Sequence, residues 1–393
     1  MNKIFFLIIY GPTGVGKSDV ALLLAKQIRA EIVNMDVGQF YTPLSIGTAK
    51  PVLSEVEGPV LPVRHSLDDG GSERQRTERP VFAAFTPERG LSELKATPGR
   101  PVFAAFTPER GLSELKATPG RPVLYADSIP HHLFNILDEP KDFTVVEYRQ
   151  AVIKVMHEIW NRGNVPILVG GSGFYAQSLF FPPITQDQQK EPIKKEYSAI
   201  PEDKLWDLLY SIDQQRAKQV HKHDIYRITR ALDIWYATGK KPSSYIPEYS
   251  PIAPCMLLFL TRNKEDLYAR INQRVIWMLE QGWLDEVKAL KGTAWESFLQ
   301  EKKLIGYNEL FTYLATNHDE LLLQKTITTI QQLTRQYAKR QRIFWKMLEK
   351  QLKNVILNRE IVNKNIISLE EINLTLLDLD LYIKQLIERL SKL

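Results

Sequence analysis

Apolar and polar positions in this 393-residue chain follow two periods in turn. Ile4–Ile9 is a continuous apolar run of strand length, and a glycine-rich turn separates it from a helical spacing over Asp19–Ile28. Glu31–Met35 reads as a second buried strand ending at Asp36. Phe143–Arg162 has the spacing of a long amphipathic helix, and Val165–Val169 is a further buried strand before Gly170-Gly171-Ser172-Gly173. Residues 182–250 are polar and mostly helical, bracketed by Pro182-Pro183 and a Pro/Ser/Tyr-rich stretch at 242–251. Met256–Leu260 reads as the last core strand, with helices from there to the C-terminus. Strands alternating with helices predict an α/β fold, a doubly wound parallel sheet carrying an inserted helical domain.

One segment breaks the pattern. RPVFAAFTPERGLSELKATPG at 79–99 recurs unchanged at 100–120, and RPV opens a third copy at 121–123. Two copies cannot bury a continuous solenoid core, and unchanged surface positions point to a tandem duplication of the coding DNA. The segment 52–128 is rich in Pro, Gly and balanced charge, so a poorly packed surface excursion is expected there. The resulting organisation is a core of 1–51 and 129–181, the insertion 52–128, a helical domain 182–250, and core continuation with C-terminal helices over 251–393.

Composition narrows the class. The single cysteine, Cys255, excludes a disulfide framework and any cysteine-rich zinc site. No run reaches the ~20 apolar residues of a membrane span. The first ten residues run directly into the glycine-rich turn without a cleavage site. A soluble cytoplasmic protein with no membrane role is expected, a monomer by default. The net charge of +5 is modest, but Arg335–Leu348 carries five basic residues, no acid, and Tyr337, Phe344 and Trp345 between them. Two readings fit that helix: a phosphate-backbone contact surface, or a solvated basic face over an aromatic core stripe.

The turn after the first strand is Gly11-Pro12-Thr13-Gly14-Val15-Gly16-Lys17-Ser18, the Gly-x-x-x-x-Gly-Lys-Ser pattern in its strand–loop–helix context. Its glycines let backbone N–H groups point at an anion, the helix N-terminus adds its dipole, Lys17 reaches phosphate oxygens, and Ser18 can ligate Mg²⁺. The pattern marks linked phosphates; it does not identify a nucleotide. Asp36 lies at a strand's carboxyl end, where open α/β sheets place their ligand crevice, suited to a general base or to water-mediated metal binding. The Val165–Val169 strand ends in glycines where a nucleotide hydrolase often carries an acid, which argues against ATP hydrolysis. Gly170–Gly173 is a second close-approach turn, with Ser172 as a donor. Arg270 and Arg274 lie one helical turn apart and could share a diphosphate. His131-His132 fits packing or a turn better than a metal site.

Taken together the segments GPTGVGKS (11–18), DVGQFY (36–41), IGTAKP (46–51), PHHLFNILD (130–138), PILVGGSGFY (166–175), RITRALDIW (227–235), RINQRVIWMLEQG (270–282), IGYNEL (305–310) and RQYAKRQRIFW (335–345) resemble the tRNA dimethylallyltransferase family, in its order. The resemblance implies a P-loop kinase-like sheet domain and transfer of a dimethylallyl group from its diphosphate to N6 of the adenosine 3′ of a tRNA anticodon. It reassigns the P-loop, residues 11–18, to the prenyl donor's diphosphate, with Thr13, Lys17, Ser18 and Mg²⁺ stabilising the leaving group. By the same resemblance Asp36 accepts the amine proton, Arg274 neutralises diphosphate, and Ser172 lies beside the reacting centre. The tRNA contacts implied are Asp36, Val37, Gly38, Gln39, Ser172, Lys194, Lys339 and Arg340, with the helical insertion gripping the anticodon stem-loop. Three departures stand out: Val37 and Gly38 replace a usual Ser and Met, Ser172 replaces Thr, and the basic residue after 170–175 is carried by Lys194 or Lys195. Gly38 is expected to loosen the segment that positions Asp36 and Gln39.

Three rivals remain open on the sequence: a P-loop kinase of shikimate- or nucleotide-kinase type, a prenyltransferase acting on free adenine nucleotides, and a non-enzymatic RNA-binding protein or insertion-damaged relic.

Overall fold

The computed structural model describes residues 4–54, 123–183, 197, 199–244, 248–316, 319–357 and 366–391. The exact repeat at 79–120 and the lysines 194 and 195 lie outside them. The described residues belong to one compact unit.

The first half of that unit runs β1 (Phe6–Tyr10), α1 (Lys17–Gln27), β2 (Ala30–Asn34), β3 (Leu124–Ala126), β4 (Ile129–His132), α2 (Val145–Asn161), β5 (Val165–Gly170) and α3 (Gly173–Ser178). Helices α4 (Leu205–Ile212), α5 (Gln214–Lys218) and α6 (Ile225–Thr238) form the insertion. Then come β6 (Cys255–Thr261), α7 (Lys264–Glu280), α8 (Trp283–Leu290), α9 (Ala294–Lys302), α10 (Tyr307–Leu314), α11 (Glu320–Leu357), β7 (Ile366–Asn373) and α12 (Leu379–Ser391). The strand order is β3-β4-β2-β5-β1-β6-β7, parallel throughout except for the antiparallel β3–β4 pair.

Every residue of β1 is fully buried, which is why its sequence is an unbroken apolar run rather than an alternation. Phe6, Ile8 and Tyr10 enter the core on one face of the sheet, Leu7 and Ile9 that on the other. The register sets Tyr10 opposite both Gly170 of β5 and Phe259 of β6, so the turns leaving these strands share one edge. Local signals set the helix ends. Thr144 accepts from the Glu147 N–H and the Glu147 carboxylate accepts from the Thr144 N–H, a capping box that starts α2 just after Phe143. The insertion helices have a small core of their own, built on Leu205, Leu209, Ile228 and Leu232.

Two expectations need correction. The chain after β6 is not all helical: β7 pairs in parallel with β6 along its whole length and forms the sheet edge. Its Ser-Leu-Glu-Glu-Ile sequence resembles an amphipathic helix, but Glu370 is held by Ser368 on the same strand face and by Arg389 and Tyr382 of α12, contacts that lie outside the strand's own pattern. The sheet also enters the segment 52–128 from both ends, because β3 lies within it and Ser54 pairs with Tyr125. His131 and His132 belong to β4, where His131 is buried on the Ile129 carbonyl and His132 meets Glu31. Among the described residues no helix is long and apolar enough to cross a membrane.

Candidate active site

The P-loop is tied down from several parts of the chain. Lys17 Nζ donates to the carbonyls of Gly11 and Pro12, each at 3.0 Å, and so lies across the loop. Gly16, left-handed at φ 106°, turns the chain into α1. Arg262 Nε donates to Val15 O at 2.8 Å and Arg270 Nε to Gly14 O at 3.0 Å. The arginine pair therefore divides its work: Arg270 holds the loop, while Arg274 lines a cavity beside it.

Asp36 is placed by Asn34, which is buried and at the end of β2. The Asn34 carbonyl oxygen accepts the Asp36 N–H at 2.8 Å, and its amide donates to Asp36 O at 3.1 Å and Leu133 O at 3.0 Å. The Asp36 carboxylate accepts backbone N–H groups of Gly38 and Gly171 and lies in the field of Lys17 and Arg274. Burial pushes its pKa above the ordinary carboxylate value, against the pull of those cations and N–H groups. Burial also drives the Lys17 ammonium down to about 8, with Asp36 opposing it, and lowers Arg274. The three charges thus lack the solvation that a bound anion and its counterion would provide.

Asp36 and Arg274 line a cavity of about 440 Å³. Thr13, Asp36 and Arg274 are polar groups of its lining, and Ile271, Val275 and Met278 form an apolar wall along α7. Trp283, Phe298 and Leu304 continue the lining together with the charged Asp142, Lys302 and Lys303. Arg340 and Tyr337 of α11 close another side.

Val37 and Gly38 line the cavity with Asp36. Gly38 does not loosen its segment: a Cβ there would meet Thr48 Cγ2 at 2.7 Å, so Gly38 is where the short 3₁₀ turn Val37–Phe40 packs against Thr48. Gln39 turns its amide to the carbonyls of Thr48 and Ala49, at 3.2 and 3.4 Å, away from the cavity wall. Ser172 begins α3 beside Gly171, with its N–H on Met35 O at 3.4 Å. Lys339 is exposed on α11, and Lys194 lies outside the described residues. On α11 the two sequence readings coexist. Trp345 is buried and stacked on Phe259 at 4.5 Å between ring centroids, while Lys339, Arg340, Arg342 and Lys346 face solvent. Among the described residues no group of three or more His, Cys, Asp or Glu could hold a metal ion.

Sequence reasoning missed Asn34, Arg262 and Glu286. Glu286, buried on α8, accepts the N–H groups of Ser45, Ile46 and Gly47 and the Tyr307 hydroxyl, fixing the loop that supplies Gly47 and Thr48 to the cavity. No local pattern marks it; a lone acid in a helix is usually solvated.

A family model described as IPP transferase matches residues 122–347, and a second, isopentenyl transferase, matches residues 4–70. The first alone spans more than half of the chain. The chain belongs to the IPP transferase family. The exact repeat falls between the two matches of this family. Among curated relatives, a tRNA dimethylallyltransferase of Thermotoga neapolitana is 29% identical over 375 residues, 95% of this chain and 96% of its own. One of Citrifermentans bemidjiense is 29% identical over 343 residues, 86% of this chain and 88% of its own. A solved structure of a eukaryotic dimethylallyltransferase acting on tRNA has the same fold, at TM-score 0.61 and 23% identity over 98% of this chain and 77% of that one. The full-length tRNA isopentenylpyrophosphate transferase of Bacillus halodurans also matches in fold, at TM-score 0.53 and 24% identity over 99% and 96%.

Proposed function

We propose that the protein transfers a dimethylallyl group from dimethylallyl diphosphate to N6 of the adenosine 3′ of the anticodon in tRNA, releasing diphosphate. The observation that carries this reading is the joining of a phosphate loop to a cavity with an apolar wall through Asp36, Lys17 and Arg274. A prenyl diphosphate has both an anionic head and an apolar tail, which suits a phosphate loop beside the apolar wall Ile271, Val275 and Met278.

In this reading the N–H groups of residues 11–18, the Thr13 hydroxyl, Lys17 and Arg274 hold the diphosphate and stabilise the charge that grows on it as the C1–O bond breaks. The adenine N6 forms the new bond to C1, and its proton passes to the Asp36 carboxylate, whose raised pKa makes it a better acceptor. Ser18 Oγ at the start of α1 fits Mg²⁺ as one protein ligand, the remaining positions falling to diphosphate oxygens and water. Bound there, the ion neutralises leaving-group charge. Ser172, beside Gly171, borders the reacting centre. Val37 and Gly38 form the cavity wall against which the adenine, extruded from its stack, is held, and Gln39 braces their turn on the Thr48 and Ala49 carbonyls. Lys339 and Arg340 meet the phosphates of the anticodon stem-loop, and Lys194 adds a further contact. The tRNA substrate suits work in the cytoplasm, and a monomer suffices for the assignments above.

Incubation with dimethylallyl diphosphate, Mg²⁺ and tRNA should give prenylated adenosine by mass spectrometry. Transfer to AMP but not to tRNA would overturn the acceptor assignment, and ATP turnover without tRNA would restore the kinase reading.

A further inference from the structure

Gln341 has no part in the mechanism above, yet it is among the few buried polar residues, 4% exposed within the most basic stretch of α11. Both ends of its amide are used. Its Oε1 accepts the Thr13 N–H at 2.9 Å, and its Nε2 donates to Gly171 O at 2.9 Å. The orientation is fixed by chemistry, since one partner can only donate and the other can only accept. Gly171 is shaped to this contact: a Cβ there would lie 2.1 Å from Gln341 Nε2. Each partner leads to the reacting groups. Thr13 lines the cavity with Asp36 and Arg274, and the Gly171 N–H donates to the Asp36 carboxylate.

We propose that Gln341 is a positioning residue that locks the glycine-rich turns 11–18 and 170–173 into one frame, fixing the separation between the diphosphate cradle and the Asp36 carboxylate. It sits on the helix turn that presents Lys339, Arg340 and Arg342 to solvent, so the surface assigned to tRNA and the donor cradle are braced by one side chain. The kinetic part of this inference rests on the prenyl-transfer reading; the binding part does not.

The test uses the full chain with Gln341→Leu, which keeps the bulk and removes both bridging hydrogen bonds, together with the Gln341 contact to Tyr337. Tyr10→Phe is the comparison. It deletes a hydroxyl that donates to the Gln341 backbone carbonyl at 3.3 Å and touches neither turn. In Gln341→Leu, kcat should fall on the order of 10- to 100-fold, as for loss of a group that orients a reacting one. Affinity for inorganic pyrophosphate with Mg²⁺, measured by calorimetry, should weaken about 3- to 10-fold, and the Kd for unmodified tRNA should stay within about 2-fold, since its basic contacts are intact. Tyr10→Phe should lower thermal stability while keeping kcat and pyrophosphate affinity. If Gln341→Leu does not fold, Gln341→Met, unbranched like glutamine and without either polar group, decides the matter, and the same falls in kcat and pyrophosphate affinity are expected. Unchanged kcat and pyrophosphate affinity, or a kcat loss matched by tRNA affinity, would overturn the bridge. If the wild-type protein transfers no prenyl group, the prenyl-transfer reading fails and the pyrophosphate arm still decides the bridge.

Discussion

Glu31, near the start of β2, and Asp36, two residues past its end, both stand beside cations, and their carboxyl groups are driven in opposite directions. Burial would raise Glu31, but hydrogen bonds from His132, Arg162 and Asn164, at 2.5, 2.7–2.9 and 2.7 Å, outweigh it and hold the carboxyl at about 2. At Asp36 burial wins over Lys17, Arg274 and two backbone N–H groups, and the pKa rises. A carboxylate with its hydrogen bonds satisfied is a fastening. One left short of them is poised to take a proton. The same residue class is thus spent on stability within the strand and on chemistry just past its end.

The comparison breaks if the two sites exchange behaviour on mutation. The largest effect is expected at Asp36. Asp36→Asn should lower kcat by about 10²- to 10⁴-fold, the usual worth of a positioned base. Its folded-state pKa lies above the unfolded value, so the relative stability that the carboxyl contributes is full below the unfolded pKa and lost as pH rises through the folded one. At neutral pH Asp36→Asn should therefore leave thermal stability equal or higher. A clear drop in Tm alongside intact activity would reverse the assignment. Glu31→Gln should do the opposite, retaining kcat and costing about 2 kcal/mol in urea unfolding at pH 7. Its sign follows the other case: the contribution is complete above the unfolded value of 4.5 and disappears as pH falls towards about 2.

Lys17 sharpens the contrast through pH rather than mutation alone. In the free protein its ammonium is held down to about 8, so kcat/KM for the donor should fall as pH rises through that value, where the lysine becomes neutral. Lys17→Arg should move this limb upward. A profile flat to pH 10 in the wild type would show that the buried charge is not used for the diphosphate. At the apolar wall effects should be smaller and of a different kind. Val275→Phe narrows the wall behind Arg274, and should raise the donor KM about 10-fold, the scale of steric discrimination in apolar pockets, with less change in kcat.

The centre of the fold was legible because its signals are local. The runs at β1, β5 and β6 are buried on both faces, and the P-loop and Thr144-x-x-Glu147 carry their own chemistry. The sheet edges were not. The β7 strand exists through its pairing with β6, and Glu370 looks like a solvated helix residue until Arg389 is brought to it. In the site, Asp36, Lys17 and Arg274 could be picked out by residue type and position. Glu286 and Gln341 act through carbonyl and N–H groups hundreds of residues away, which no spacing rule registers. Asn34 instead holds Asp36 two residues on, a local Asn turn that only its bond to Leu133 carries across the fold. Gly38 shows the limit in reverse: it reads as a loosening residue until Thr48 is found against it.

The smallest effect is expected from the largest change. Ser54 and Tyr125 exchange both backbone hydrogen bonds, at 2.9 and 2.7 Å, so the chain leaves the sheet and returns to it at neighbouring points. Replacing residues 55–122 with a turn of a few residues therefore needs no strand to move. Loop-closure entropy changes by only about 0.6 kcal/mol per doubling of length. The excised protein should keep β3, unfold within about 2 kcal/mol of the parent and retain kcat, since Asp36, Lys17 and Arg274 are held by contacts that the excision does not touch. Excision that restored activity to an inactive parent would instead mean that the insertion obstructs the site. Glu31 decides between that and a fold defect, because its partners His132, Arg162 and Asn164 all follow the junction: if the pH 4.5-to-2 stability loss persists after excision, β2 and β4 are still paired as here.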